Sequence, residues 1–455
     1  MILPGVFERF TEQTPVPVMA RAAIEFALSA SALDRLFEQH ADEQYTPHLL
    51  FSTVFDLMSL VVTASFKSLN AAYQGHEESI PVSLTSVYNK LRGIEPAVSA
   101  QTVRHTAQRL LPVQELVKGT RQPWLAGYRV RVLDGNHLAC TEHRLEETRL
   151  DAARPLPGLA LVLYEPEVDL VTDVILEEDG HAQERSRLDD VVERLRAKDL
   201  VVADRNFCTR AFLLAIIARG GFFAIREHAL LAWEPAGKVR RLGRTEGGRL
   251  REQRVLIRND QGEAVYLRRV LVELDEPTRD GDGSVAVLSN LPEQDADARC
   301  VAKLYRRRWT IEGAFQDLAC ALRAEINTLC YPRAALFGFC VGLVVYNLLG
   351  AVKGALRGAH GEEKVEGLSA YYLADELAGV SRGMQVAITG EEWEVFGRMS
   401  AREFADRMKE WAAKVRLARF RRHPRGEKKP KVKRRYDPAH PHVSSARILQ
   451  LRKAK

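Results

Sequence analysis

The order of strand-like and helix-like segments between residues 128 and 227 limits the fold of this chain more than any other feature of its sequence. Three strand-like segments come first. A charged helix, a short apolar strand, an apolar helix and a further strand then follow one another. The segments cover residues 128–133, 156–166, 170–180, 182–198, 200–204, 209–221 and 222–227. Strands followed by alternating helices and strands predict an α/β domain.

Three strands followed by alternating helix and strand is the order of a ribonuclease-H-like α/β fold. Residues 229–292 do not continue this alternation, because they hold short strand patterns separated by Gly/Asp-rich turns. They predict a β-strand insertion. A long helix is predicted from about residue 297 to 322, and an apolar helix around 333–353. We therefore assign residues 126–355 to one ribonuclease-H-like domain.

Residues 1–125 predict a helical N-terminal region, because apolar residues recur in it at helical spacing. Within it, residues 83–111 predict two helices around a turn at 93–96, with Ser99 as a cap of the second helix. That helix carries the basic side chains of Arg104, His105 and Arg109. Two interpretations are equally open: a DNA-reading module of the helix-turn-helix type, or an ordinary helical hairpin.

The positive charge of the chain is concentrated near its C-terminal end. Residues 414–435 contain 12 Lys or Arg and one acid, Glu427, which gives a local balance of +11. Because the whole chain is +6, the rest is near −5. A basic segment on a mildly acidic body favours a polyanionic partner. We assign residues 356–455 to a helical C-terminal region with a basic tail.

Neither secretion nor a membrane location is indicated by the sequence. The N-terminus lacks a charged segment followed by an apolar run, and the six cysteines form no C-x-x-C pair. The apolar stretch 334–352 approaches the roughly 20 residues that span a bilayer, but it follows a charged helix and contains Tyr346 and Asn347. We therefore expect a buried core helix, no membrane partner and a cytoplasmic protein.

Three acidic residues lie where a metal site for phosphodiester chemistry needs them. Such chemistry commonly uses two divalent cations held by carboxylates from separate elements. Asp134 follows the first predicted strand, Asp204 ends the short apolar strand, and Glu312 lies on the long predicted helix. On that helix Tyr305, Arg308 and Glu312 share a face, so that a basic residue there can contact a phosphate while Glu312 holds metal.

Each of these residues also has an ordinary structural interpretation. With 60 acids in the chain, an Asp after a strand is more often a turn residue or a helix cap. The face shared by Tyr305, Arg308 and Glu312 would alone be more typical of a solvated, salt-bridged stripe. The joint order of the residues and the predicted fold favour the metal site.

At these residues the chain resembles transposases of the insertion-sequence-four type in the DDE superfamily. The similarity covers roughly residues 80–350 and is best in the segments VLDGNHL, VVADRNF, VLSNLP and LYRRRWTIEGAFQDL. The family pattern Y-x2-R-x3-E-x6-K is met by Tyr305, Arg308 and Glu312, but Ala319 stands at the Lys position. Arg323, one turn further on, could partly replace that Lys as a phosphate contact.

The resemblance implies a fold, a reaction and partners. It implies a ribonuclease-H-like domain with a β insertion before the Glu, and Mg²⁺ (with Mn²⁺ as a substitute) held by Asp134, Asp204 and Glu312. The implied partners are double-stranded DNA, as terminal inverted repeats and target, and a second copy of the chain. Relatives that form a hairpin stack a flipped base on an aromatic ring, so Trp233 is a candidate stacking residue; an ordinary strand aromatic is the favoured alternative.

Two other functions stay open at this point. A nuclease of the same fold would use the same metal site to cleave DNA without rejoining it. A catalytically inactive, DNA-binding relative of a transposase would have lost one of the acids, and all three are present.

Overall fold

The structure is a computed structural model, and it describes residues 5–42, 48–150, 152, 154–278, 281–313, 321–423 and 442–454. Its strands are β1 (Arg129–His137), β2 (Arg154–Leu156), β3 (Leu159–Glu165), β4 (Leu170–Glu177), β5 (Asp199–Ala203), β6 (Phe222–Arg226), β7 (Glu234–Pro235), β8 (Arg240–Thr245), β9 (Gly248–Arg258), β10 (Ala264–Leu274), β11 (Ser284–Ser289) and β12 (His442–Ser444).

Helices precede, flank and follow these strands. They are α1 (Gly5–Gln13), α2 (Pro15–Leu28), α3 (Ala30–His40), α4 (Phe51–Val62), α5 (Leu69–Gln74), α6 (Leu84–Gly93), α7 (Pro96–Leu116), α8 (Leu188–Glu193), α9 (Arg210–Ala218), α10 (Ala298–Arg307), α11 (Pro332–His360), α12 (Glu362–Glu366), α13 (Ala370–Ala387), α14 (Gly390–Gly397), α15 (Ala401–Lys414) and α16 (Ser445–Lys453). The described parts of the chain before β1 and after α11 are therefore mainly helical.

One large mixed sheet organises the molecule, with the strand order β4-β3-β1-β5-β6-β11-β10-β9-β7 and β8 paired to β9. Strand β1 is antiparallel to β3 and parallel to β5, which is in turn parallel to β6. The predicted α/β class is confirmed, and this arrangement is compatible with a ribonuclease-H-like domain.

The sheet separates two hydrophobic cores. Because successive side chains of a strand point to opposite faces, Val132 of β1 and Val202 of β5 enter the first core, which also contains apolar side chains of α2, α4, α7 and α11. Leu133 and Val201 enter the second core, under α8 and α9. Burial on both faces explains why β3 reads as a continuous apolar run.

Strands β7 to β11 extend this sheet. Strand β11 pairs antiparallel with β6, and β10 and β9 follow it outwards. The segments predicted as strands within 229–292 do form strands, and these strands belong to the same sheet as β1, β5 and β6. Helix α10 follows and contacts β6, β10 and β11.

Helix α11 lies in the interior. It is the one described helix that is long and apolar enough to cross a membrane, unless the bent pair α2 and α3 is counted as a further span. The most apolar stretch of α11 is entirely buried inside protein, in a core that extends from Phe7 to Phe420. This burial agrees with the predicted core helix.

Two predicted helices are shorter than the sequence suggested. The charged segment 182–198 forms only a 3₁₀ turn, Glu184–Arg187, and then α8. The helix predicted over 297–322 ends at Arg307; residues 308–309 form a turn, and 310–313 are helical again. The N–H of Arg308 donates to the carbonyl of Tyr305, three residues back, so the chain tightens there. Residues 314–320, which include Ala319, lie outside the described residues.

Helix α7 is an interior helix, so the helix-turn-helix interpretation is not supported. The two predicted helices exist as α6 and α7, but Ser99 lies inside α7 and is buried, and the helix begins after Glu95. Arg104 donates to the Asp173 carboxylate at 2.6 Å, and Arg109 donates to the Phe26 carbonyl at 3.2 Å. Side chains held in this way cannot read base edges, and the helical hairpin is the better description.

Candidate active site

Asp134 lies inside β1 and not after it. The strand continues to His137 because β3 continues to pair with it, and Asp134 faces Val162 there. On the other side β5 ends at Ala203, the partner of Leu133. Asp134 is therefore the first residue of β1 beyond the end of β5, where the sheet opens between the two strands.

Asp204 lies at the same opening, directly after β5. Its Oδ1 accepts a hydrogen bond of 2.7 Å from the backbone N–H of Asn206, which fixes a 3₁₀ turn, Arg205–Phe207. Because Leu133 and Ala203 are paired, Asp134 and Asp204 follow neighbouring positions of two parallel strands. Such strand ends are where α/β sheets collect their functional groups.

Arg308 joins the third acid to the first. One terminal nitrogen lies 3.2 Å from Oδ2 of Asp134, and the other lies 2.9 Å from Oε1 of Glu312. The Arg308 side chain is only 8% exposed, so it does not belong to a solvated, salt-bridged stripe. Two of the three predicted acids are thus gathered around one guanidinium.

Tyr305 completes this group from the last turns of α10. It is buried, and its hydroxyl group interacts with the guanidinium groups of Arg308 and of Arg226 on β6. Arg226 also donates to Asp282 at 2.7 Å. The predicted trio of Tyr305, Arg308 and Glu312 is therefore together in space, although the helix is interrupted within it.

The site is short of positive charge. The pKa of Asp134 is raised to about 7, and burial is the largest cause. Arg308 and the Gly135 N–H lower this pKa, whereas the negative charges of Asp204 and Glu184 add to the rise. A carboxyl group whose pKa is raised in this way is poorly compensated by its surroundings.

The donor set fits a divalent cation in its chemistry. Mg²⁺ and Mn²⁺ prefer oxygen ligands, and one or two carboxylates per ion suffice. Asp134 and Asp204 supply such oxygens at the opening, and Glu312 lies beyond Arg308. Within the described ranges, no three Asp, Glu, His or Cys side chains stand close enough to hold a metal ion. Arg308 contacts carboxylate oxygens of both Asp134 and Glu312.

Two predicted residues are not brought to this cluster. Arg323 is exposed, and its backbone N–H donates to the Val62 carbonyl at the end of α4. Trp233 packs against the second core and lines a separate cavity. Its indole N–H donates to Glu227 at 2.6 Å, and the guanidinium of Arg269 lies 5.0 Å from its ring. These contacts favour an ordinary packed aromatic over a role beside Asp134, although Trp233 lies just before β7 and not in a strand.

Glu184 and Arg226 also lie at this site, but their positions in the sequence do not indicate it. Glu184 begins the 3₁₀ turn after β4, and its carboxylate lies against Gly135. In the sequence it is one of several charged residues of a predicted helix, and nothing local distinguishes it. Arg226 is the last residue of β6, and the charged residues at the end of the predicted strand 222–227 are the one signal for it in the sequence.

A groove of about 1540 Å³ leads away from Asp204 and Glu312. Helix α10 forms one wall, and apolar side chains of β10 and β11 form another. Basic side chains outnumber acidic ones in its lining: Arg205, Arg226, Arg299, Lys303, Arg306, Arg307 and Arg308 stand beside Asp204, Glu246, Asp275, Glu276 and Glu312. Such a lining suits a polyanion.

Comparison with known protein families gives a match that covers this part of the chain. Residues 125–348 match the family model described as the transposase DDE domain. Comparison with curated proteins gave no match. The matched range contains the whole cluster around Arg308, and the family implies phosphodiester cleavage and transfer in general terms. Over residues 125–348 the chain is therefore similar to the transposase DDE domain.

Proposed function

We propose that this protein is a DNA transposase of the insertion-sequence-four type, which binds the terminal inverted repeats of its element, cleaves them and joins the ends to target DNA. The observation that carries the proposal is the position of Asp134 and Asp204 at the ends of two neighbouring parallel strands, with Arg308 connecting Asp134 to Glu312. The match to the transposase DDE domain supports it.

In this proposal Asp134, Asp204 and Glu312 hold the divalent cation, Mg²⁺ or its substitute Mn²⁺. The bound cation supplies activation of the attacking oxygen and stabilisation of the leaving oxygen. Arg308 and Tyr305 contact a DNA phosphate, which a guanidinium binds through two parallel hydrogen bonds. Because Arg308 holds two carboxylates in this structure, that phosphate has to compete for it.

The proposed partners are double-stranded DNA and a second copy of the chain, in the bacterial cytoplasm. The basic groove beside the acidic cluster is the main support for DNA. A homodimer would give each of the two element ends one active site.

The test is a cleavage assay with DNA that contains the regions flanking the gene of this protein. With Mg²⁺ or Mn²⁺, we expect cuts at the borders of short inverted repeats and joining of the freed 3′ ends to a second plasmid. Cleavage without joining would identify a nuclease of the same fold. Intact DNA with either metal, despite retained binding, would identify an inactive DNA-binding relative.

The basic tail provides a separate prediction about DNA affinity. Residues 424–441 lie outside the described residues, but residues 428–435 contain six Lys or Arg. Replacing all six with Gln should weaken binding to unrelated DNA and to inverted repeats alike. Each lost phosphate contact lowers the slope of log K against log salt by about 0.9, so the slope should fall by up to about 5.

The replacement keeps the length of the chain for a structural reason. Phe420 is buried, and Arg447 and Arg452 of α16 pair with Asp179 and Glu147, so a truncation at residue 413 would also remove packed residues. Binding is measured by fluorescence anisotropy at four salt concentrations. An unchanged salt slope would assign DNA binding to the groove and not to the tail.

A further inference from the structure

Glu184 is placed against the backbone beside Asp134 by the absence of a side chain at Gly135. A Cβ atom at residue 135 would overlap Oε1 and Cδ of Glu184. The backbone of Gly135 does not have the positive φ that favours glycine, so its conformation does not require glycine. Glycine is required at residue 135 because the Glu184 carboxylate approaches the backbone there.

Glu184 is also tied to the second acid. The side-chain amide of Asn206 donates to Oε2 of Glu184 at 3.4 Å, and the backbone N–H of the same residue donates to Oδ1 of Asp204 at 2.7 Å. Asn206 therefore spans the two carboxylates. Together with Gly135, it places Glu184 at the opening between β1 and β5, where Asp134 and Asp204 lie.

Few positively charged groups compensate the negative charge of Glu184. Among the described residues, no Lys or Arg forms an ion pair with it, and the neighbouring Arg185 donates instead to the Asn206 carbonyl at 2.7 Å. A carboxylate held among other carboxylates is costly unless a cation compensates it.

We propose that Glu184 is a fourth carboxylate of the metal site, and contributes an oxygen to the divalent cation that Asp134 and Asp204 hold. The inference rests on the transposase function proposed above. It adds a ligand that lies on a different element from the three acids identified in the sequence.

The test measures Mn²⁺ binding to the full-length protein without DNA, by isothermal titration calorimetry. Glu184→Gln keeps the size of the side chain and removes its charge. Gly135→Ala leaves every carboxylate in the chain and pushes the flexible end of Glu184 away from the opening. Both variants should bind Mn²⁺ about 10- to 100-fold more weakly, the range for losing a group that supports a metal site.

Two further variants serve as references. Glu193→Gln removes the same charge from an exposed position at the end of α8 and should bind Mn²⁺ like the wild type. Glu184→Asp shortens the side chain by one methylene and should give an intermediate affinity. Thermal unfolding without metal shows whether Gly135→Ala is folded. If that variant does not fold, Glu184→Asp tests the proposal in its place.

Asp134→Asn separates the inference from the proposed function. If Asp134→Asn loses Mn²⁺ binding while Glu184→Gln and Gly135→Ala bind like the wild type, Glu184 is not a ligand and the proposed function stands. If Asp134→Asn itself binds Mn²⁺ like the wild type, the proposed metal site is wrong and the inference falls with it. Weak binding in all three variants, with a normal Glu193→Gln, supports the fourth carboxylate.

Discussion

Replacing Asp134 with Asn should abolish metal-dependent DNA cleavage while the protein stays folded. Asn has the shape of Asp but lacks the negative charge that binds a cation. Metal-ion catalysis contributes several kcal/mol of transition-state stabilisation, and a loss of about 4 kcal/mol lowers the rate roughly 10³-fold. The rate of plasmid nicking with Mg²⁺ measures this effect.

The fold should tolerate the change because a buried, negatively charged Asp134 is poorly solvated. Its pKa is raised by burial, so a neutral side chain avoids a desolvation penalty there. Arg308 keeps its contact with Glu312. We therefore expect a thermal unfolding midpoint close to that of the wild type, and unchanged affinity for DNA.

Asp189→Asn is the matched control, because Asp189 is exposed on α8. It should nick DNA at the wild-type rate. Asp204→Asn and Glu312→Gln should resemble Asp134→Asn. Nicking by Asp134→Asn within tenfold of the wild type would remove this residue from the chemistry.

The strands and the two aspartates could be predicted because their signals are local. The segment LVVAD is a short apolar run that ends in an acid, and a strand buried on both faces has that pattern whatever surrounds it. Asp134 was found for the same reason, but its placement after the strand was wrong. Strand β1 extends to His137 because β3 pairs with it there. A local sequence pattern does not reveal which strands pair.

The environment of each site residue could not be predicted in this way. Arg308 is buried because the chain turns after α10 and the guanidinium reaches Asp134, which is 174 residues away in sequence. Glu184 reaches the site through a missing Cβ at Gly135. Helix α7 has the composition of a surface helix, but its Arg104 donates a hydrogen bond to the carboxylate of Asp173 on β4 and does not face solvent freely. Such long-range polar contacts decide whether a charge faces solvent or the interior.

Replacing Asp169 with Asn should cause a large loss of stability. Asp169 is buried between β3 and β4, where it accepts a hydrogen bond of 2.8 Å from the Tyr164 hydroxyl. Arg121 lies 3.3 Å and Arg357 3.5 Å from its Oδ2, and the Arg357 side chain is only 3% exposed. Removing one partner of a buried ion pair leaves the other charge uncompensated, at about 3–5 kcal/mol.

Asn is the informative substitution because of the backbone at this position. Asp169 has a φ of 57°, which Asn adopts more easily than Ala does. The loss can therefore be assigned to the charge and not to backbone strain. The free energy of unfolding, measured in urea at pH 7, should fall by the amount given above.

Asp406→Asn is the control for a surface pair. Asp406 lies 3.4 Å from Lys409 on α15, with 64% of its side chain exposed. Pairs of this kind contribute at most about 1 kcal/mol. An effect of Asp169→Asn no larger than that of Asp406→Asn would show that the buried pair does not stabilise the fold.

The effect of Asp169→Asn should also depend on pH. Burial by itself would raise the pKa of Asp169, but the charges of Lys353, Arg121 and Arg357 and the hydrogen bond from Tyr164 hold it well below its usual range. A carboxyl group whose pKa is lower in the folded state stabilises the protein above its unfolded pKa, about 3.9 for Asp. That stabilisation is lost as the pH falls from this value towards the folded pKa. The difference in unfolding free energy between wild type and Asp169→Asn should therefore be largest at pH 7 and smaller at pH 3, and a difference that grows on acidification would contradict the assignment.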